Sequence, residues 1–191
     1  KAGVTRVVAA APDPHPRNRG AGFDLLEAAG IEVIRDGDQA GAKTLNPGHE
    51  KNHSEGRPYV RLKLAATMDG FTGLPNGQSQ WITSPAARLE VQRMRAQSSA
   101  IVTGANTVLS DDPELTVRDP RIDPKHSHLI LARPKPVYVL DSQSRTMATA
   151  KVYGNPLARQ VCGLETLNAH SAALKTKLNP DGQIDLPRFF E

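Results

Sequence analysis

Between Thr103 and Arg118 the chain reads TGANTVLSDDPELTVR. Asp111 and Asp112 stand side by side ahead of Pro113, and Leu115 and Arg118 follow. Adjacent carboxylates repel, so a loop that merely connects two elements gains little from the pair. Two readings fit the stretch by itself. One is a helix-ending turn with solvated aspartates, where Pro113 stops the helix; the other is a corner that meets a ligand. Further polar groups stand at similar places. Lys63 sits inside the strand-like pattern YVRLKLAAT, where a lysine is costly unless it faces solvent, a cleft or an anion. Ser79 and Trp81, the one tryptophan, come just before a helix start. Arg95 lies beside the apolar stripe of that helix, and its planar fork suits a phosphate. Asp141 and Ser142 end a strand, where open α/β sheets hold their ligands.

Competing chemistries lack their motifs. There is no Cys-x-x-Cys and no His-Glu-x-x-His, and His126 and His128 fall in a polar loop, so no metal site is expected. The one cysteine, Cys162, reads as a small buried hydrophobe. No Gly-x-Ser-x-Gly elbow, no phosphate-binding Gly-x-x-x-x-Gly-Lys-[Ser/Thr] loop and no post-strand Gly-x-Gly-x-x-Gly occurs.

The polar groups need a scaffold, and the pattern supplies one of α/β type. Residues 4–11 read as a buried strand, 22–30 as a helix capped by Gly30, and 31–34 as a second strand, a strand–helix–strand order that implies a parallel sheet. One more helix is expected over 39–50. The polar, aperiodic 48–58 reads as a linker. From Tyr59 a new unit begins with a strand over 59–67 and a glycine-punctuated loop. Ser84 and Pro85 then open a helix over 85–97. One face of that helix carries Arg88, Gln92 and Arg95 at i, i+4, i+7. Strands follow at 100–104 and 136–141, with shorter ones at KVYG and RQVCG, and a helix over 166–178. Lys1 at the start and Phe189, Phe190 and Glu191 at the end read as cut edges of a longer protein.

Composition narrows the partners. In 191 residues the formal net charge is +4 and aromatic content is 4%. The basic residues are dispersed and stacking platforms are scarce, which argues against nucleic acid and for small phosphorylated ligands. No apolar run approaches the ~18 residues of a membrane span. Usage of a single cysteine fits a reducing, cytoplasmic setting.

Three segments together, RPYVRLKLAATMDG, GQSQWITSPAARLEVQRMRAQSSAIVTGANTVLSDDPELTVR and PVYVLDSQSR, closely resemble the reductase domain of the bifunctional riboflavin-biosynthesis deaminase/reductase. GVTRVVAAAPDPHP and LLEAAGIEV resemble the C-terminal part of the deaminase domain of the same family. The resemblance implies a cytidine-deaminase-like α/β tail over 1–50, a linker at 51–57, and a dihydrofolate-reductase-like domain over 58–191. It implies NADPH as cofactor and a pyrimidine ribose-phosphate as substrate, with hydride passing from the nicotinamide C4 to the ribosyl C1′. Carried over by position, Ala65, Trp81, Thr107, Asp111 and Ser142 contact NADPH. Ser79, Arg95, Leu115 and Arg118 contact substrate. Asp111 and Lys63 are the catalytic candidates, Lys63 helping to hold the sugar-phosphate. Copies are expected to associate through the reductase domain. The His-Ala-Glu and Pro-Cys-x-x-Cys zinc signature is absent, so zinc belongs to a part of the deaminase domain outside this chain. The family's later Glu-Gly/Ala-Gly segment is absent too. The alternative from another class is a nucleotide-phosphate-binding or assembly module without catalysis.

Overall fold

A computed structural model describes residues 3–189. The chain divides into two units, one ending at Leu62 and the other running from Lys63 to Phe189.

In the first unit, β1 (Arg6–Val8) pairs in parallel with β2 (Glu32–Ile34), and α1 (Ala21–Ala28) makes the crossover. The expected strand over 4–11 shrinks to three residues and is not buried; with a single neighbour, Val8 stays exposed. The expected helix over 39–50 is two helices, α2 (Gln39–Leu45) and α3 (Pro47–Glu55). Asn46 breaks them apart because a residue before proline is pushed out of helical backbone. Most of the polar stretch read as a linker is therefore α3, ended by Gly56 in the left-handed region at φ 67. Its lack of an apolar stripe hid it.

The second unit opens without a strand. Residues 59–67 join no described strand, and Leu62 and Leu64 are 89% and 73% exposed. A strand pattern becomes a strand only when a neighbour takes its backbone hydrogen bonds. Helix α4 (Pro85–Gln97) matches its expected bounds, with the Ser84 hydroxyl accepting from the Ala87 N–H. The sheet then builds in chain order, β3 (Ile101–Gly104), β4 (Val137–Leu140), β5 (Ala158–Gly163) and β6 (Leu174–Thr176), each parallel to the one before. Helices α5 (Ala105–Asp111) and α6 (Ser127–Leu131) lie between β3 and β4, and α7 (Leu186–Phe189) closes the described chain. The core is Val108, Val137, Val139, Val152 and Ala158, with Ile101, Leu115 and Tyr153 against it. KVYG is a 3-10 turn, Lys151–Gly154, that drops Val152 into this core. The helix expected over 166–178 is turns and β6 instead, because the backbone of that stretch is engaged across the chain. Ser144 Oγ donates to the Asn168 carbonyl at 2.7 Å, and the His170 N–H donates to Gln160 Oε1 at 3.1 Å.

Asp141 anchors the unit. It is 1% exposed. One carboxylate oxygen accepts from the Arg145 N–H, and the other from the Thr146 N–H, the Thr146 hydroxyl and the Gln160 amide, at 2.7–3.1 Å. Burial pushes its carboxyl up; the donors outweigh burial and hold it below the ordinary carboxylate value. A carboxylate with a depressed folded pKa contributes stability in full above its unfolded value near 4, and that contribution fades as pH falls below it. Asp141→Asn is expected to cost on the order of 2–4 kcal/mol at neutral pH, since an amide nitrogen would face bound donors. Urea unfolding from pH 7 to 3 checks this: the gap between the proteins should narrow on acidification, and a constant gap would rule out the charge as its source.

Candidate active site

Parallel strands place all their carboxyl ends on one edge of the sheet. Here that edge gathers the start of α5, the 141–146 turn after β4, and the 163–168 loop after β5. Arg145 Nη2 donates to Asn106 Oδ1 at 2.8 Å and ties the first two together. The Gly163 N–H and the Thr166 hydroxyl both donate to the Ser142 carbonyl, at 3.3 and 3.1 Å, and tie the last two. Between the second and third lies a cleft of about 650 Å³, with Ser142 and Thr166 in its wall. Asp141, a strand-end candidate from the sequence, has no free carboxylate oxygen to offer a ligand. It holds the turn that presents Ser142.

Thr107 and Asp111 lie four apart on α5, so they share a face. Both are exposed, while Ala105 and Val108 on the other side are buried. The two aspartates of the opening stretch differ in what they do. Asp112 caps α5 in the left-handed region at φ 40, accepts from the Lys151 N–H at 2.9 Å and pairs with Lys151 Nζ at 3.3 Å. The Lys151 N–H, above all, holds its carboxyl below the ordinary value. Among the described residues the Asp111 carboxylate has no such partner.

The polar face of α4 does three jobs. Arg88 lies over the Trp81 ring at 4.4 Å and donates to the Thr83 carbonyl at 2.6 Å, fixing the approach to the helix. Buried Gln92 accepts from the Arg118 N–H at 3.0 Å. Arg95 donates to the Thr116 carbonyl at 3.2 Å. Residues 116–118 are thus clamped along the helix, after Leu115 has turned through φ 55, a strained value for leucine. The Leu115 side chain packs on the core. Burial first, and then the like charge of Arg118, hold the Arg95 guanidinium below its ordinary value. No carboxylate pairs with Arg95 among the described residues, and Arg118 has only a loose exposed contact to Glu114 at 3.8 Å. Arg95 and Arg118 are thus both tied to one clamped stretch, with no carboxylate shared between them among the described residues.

The remaining sequence candidates sit on the irregular segment before α4. Ser79 is half-buried behind a turn closed by the Leu74 N–H and the Gln78 carbonyl at 2.8 Å. Trp81 is 69% exposed. Ala65 is half-buried and Lys63 exposed in the 59–67 segment, which joins no described strand. Sequence reasoning missed the roles of Arg88, Gln92 and Thr166. The i, i+4, i+7 spacing of Arg88, Gln92 and Arg95 was the available signal for the first two; Thr166 had none.

The first unit has its own cleft of about 640 Å³, bounded by Asp13, Lys43, His49 and His53. A hydrogen bond from Asn18, first among several, holds Asp13 far below the ordinary carboxylate value. Among the described residues no three His, Cys, Asp or Glu side chains converge to hold a metal ion. The described side chains of this cleft do not fit a catalytic zinc. No described helix is long and apolar enough to cross a membrane.

The parallel α/β sheet, with polar loops gathered along its carboxyl edge, defines a domain of dihydrofolate-reductase-like fold. The chain belongs to the family of the RibD C-terminal domain, whose model matches residues 58–184. It is 45% identical over 159 residues to riboflavin biosynthesis protein RibD of Escherichia coli K12, covering 81% of this chain and 43% of that protein. Acinetobacter baumannii RibD superposes with a TM-score of 0.79 at 37% identity, covering 98% of this chain and 50% of that one. A diaminohydroxyphosphoribosylaminopyrimidine deaminase/5-amino-6-(5-phosphoribosylamino)uracil reductase from Thermotoga maritima gives 0.74 at 30% identity, covering 93% and 48%. The chain spans about half the length of these relatives or less.

The clamp on 116–118 is open to a direct check. Gln92→Leu leaves the Arg118 N–H without its acceptor and is expected to destabilise the second unit by about 1–3 kcal/mol. Gln92→Glu, which keeps an oxygen there, should recover most of it. Thermal unfolding of both reads the difference; equal stability of the leucine variant and the unsubstituted protein would remove the clamp.

Proposed function

We propose that this chain carries the NADPH-dependent reductase of riboflavin biosynthesis. It reduces the ribosyl group of 5-amino-6-(5-phosphoribosylamino)uracil to the ribitylamino product. Residues up to the end of α3 would be the tail of a zinc-dependent pyrimidine deaminase domain. The observation that carries the reading is the Arg95–Arg118 pair inside a domain of this family: a half-buried cation and an exposed one, close together and short of counter-charge, suit a sugar-phosphate. The family match favours this reading over a module without catalysis.

The cofactor side fits as well. The carboxyl-edge cleft offers Ser142, α5 offers the exposed Thr107–Asp111 face, and the segment before α4 offers Trp81 and Ala65. These are hydroxyls, a carboxylate and apolar surface of the kind a dinucleotide needs. When bound, NADPH supplies a hydride from its nicotinamide ring. In the substrate the C1′–O4′ bond opens, O4′ gains a proton, and the exocyclic nitrogen loses one and forms C1′=N. Hydride then adds to C1′ and a proton to the nitrogen. Arg95, Arg118, Ser79 and the Leu115 corner orient the substrate, and Lys63 helps with the phosphate. Asp111, unpaired and facing outward, orders the proton donor beside the developing amine. Copies would associate through this domain.

Two comparisons test the roles in the protein carrying this chain. Arg95→Ala and Arg118→Ala should each weaken phosphorylated substrate about 10- to 150-fold, the equivalent of roughly 1.5–3 kcal/mol for a charge-assisted contact, and leave NADPH affinity nearly unchanged. Loss of NADPH binding alone would reverse the assignment. Asp111→Asn should lower kcat at saturating NADPH and substrate, whereas Asp112→Asn should lower thermal stability and leave kcat in place. Loss of kcat at Asp112 only would mean the wrong carboxylate has been chosen.

A further inference from the structure

Beyond the cofactor's identity lies the question of which group reads its phosphates. Strand register brings a lysine to the carboxyl-edge cleft. Gly163, the last residue of β5, pairs with Thr176, the last residue of β6. Lys177 therefore leaves the sheet at the same edge as Ser142 and Gly163. Leu178 follows directly over Gly163: a Cβ on that glycine would lie 2.9 Å from Leu178 Cδ1. This contact fixes the height at which Lys177 meets the cleft, and Lys177 is part of its wall together with Ser142, Gln143 and Thr166.

Two lysines, Lys175 in β6 and Lys177 just past its end, stand two residues apart. Lys175 is already engaged, donating to the carbonyls of Leu164 at 3.3 Å and Thr166 at 3.1 Å, and so holds the loop that forms the cleft floor. Lys177 has no hydrogen bond or ion pair among the described residues. Glu165, the one carboxylate of the cleft wall, is not paired with it. Leu164 and Leu167 are exposed on the same wall and give an apolar surface suited to a base. A nucleotide laid there has its base on the leucines, its sugar by the hydroxyls of Ser142 and Thr166, and a phosphate within reach of Lys177.

We propose that Lys177 is the specificity residue for the 2′-phosphate of the dinucleotide, the group by which NADPH differs from NADH. This rests on the reductase reading above. An ammonium on a flexible stem suits a monophosphate dianion at a cleft rim, where it acts as a point charge and not as a fork.

The experiment is a fluorescence titration of the protein carrying this chain with NADPH and with NADH, for the unsubstituted protein and for Lys177→Ala, Lys177→Arg and Lys175→Ala. Lys177→Ala should weaken NADPH about tenfold or more, the scale of a charge-assisted contact, and leave NADH unchanged. Lys177→Arg should keep most of the preference. Lys175→Ala, which loosens the floor, should weaken both. Equal weakening of NADPH and NADH by Lys177→Ala would place the lysine on the shared pyrophosphate and overturn the proposal, as would no effect on either. Absence of any dinucleotide binding to the unsubstituted protein would instead sink the reductase reading, and the proposal with it; the two failures are told apart by that first titration.

Discussion

The second unit hangs on a buried carboxylate. Asp141 sits at the end of a central strand and gathers four donors from three places: the turn that follows it, the Thr146 hydroxyl and the Gln160 amide of β5. The same Gln160 accepts from Ser144 and His170, and Thr146 Oγ1 meets the Tyr153 hydroxyl at 2.8 Å. A charge in so dry a place is tolerable because four donors converge on it. That constraint shapes β4, β5, the 141–146 turn and the 166–170 loop at once. No described buried side-chain polar atom is left without a partner.

The consequence for chemistry is division of labour between neighbours. Asp141 is consumed by the fold, and Ser142, one residue on, faces the cleft. Asp112 is consumed by Lys151, and Asp111, one residue earlier, faces outward. Lys175 is consumed by two carbonyls, and Lys177 reaches the rim. In each case a structural group one or two residues away fixes the backbone that carries its neighbour. Helix α4 applies the same logic along one face, spending Gln92 on the backbone of 118 and leaving the Arg95 and Arg118 charges underused.

Residues 59–67 and the two leucines they expose stand apart from this economy. They carry two of the sequence-derived site residues, Lys63 and Ala65, on backbone that no described strand pairs. The positions that the sheet and α4 fix are Arg95, Thr107, Asp111, Leu115, Arg118 and Ser142.

The sequence by itself determined what local physics decides. Ser84 and Pro85 set the start of α4, Gly30 ended α1's turn, and the apolar runs at 101–104 and 137–140 were strands wherever they were packed. It also carried the family, because the spacing from Arg57 through Arg118 is written in one dimension. Only the tertiary structure decided what depends on partners. Residues 59–67 had strand character but joined no described strand, whereas 174–176 had a weak pattern and gained a neighbour in β5. Residues 47–55 lacked a stripe and still formed a helix, because Pro47 and the left-handed Gly56 bounded it. The role of Asp141 turned on burial: a carboxylate at a strand end is a ligand group or a structural hub according to how many donors the fold turns toward it, and that number appears only when Gln160, nineteen residues away, is brought to its side.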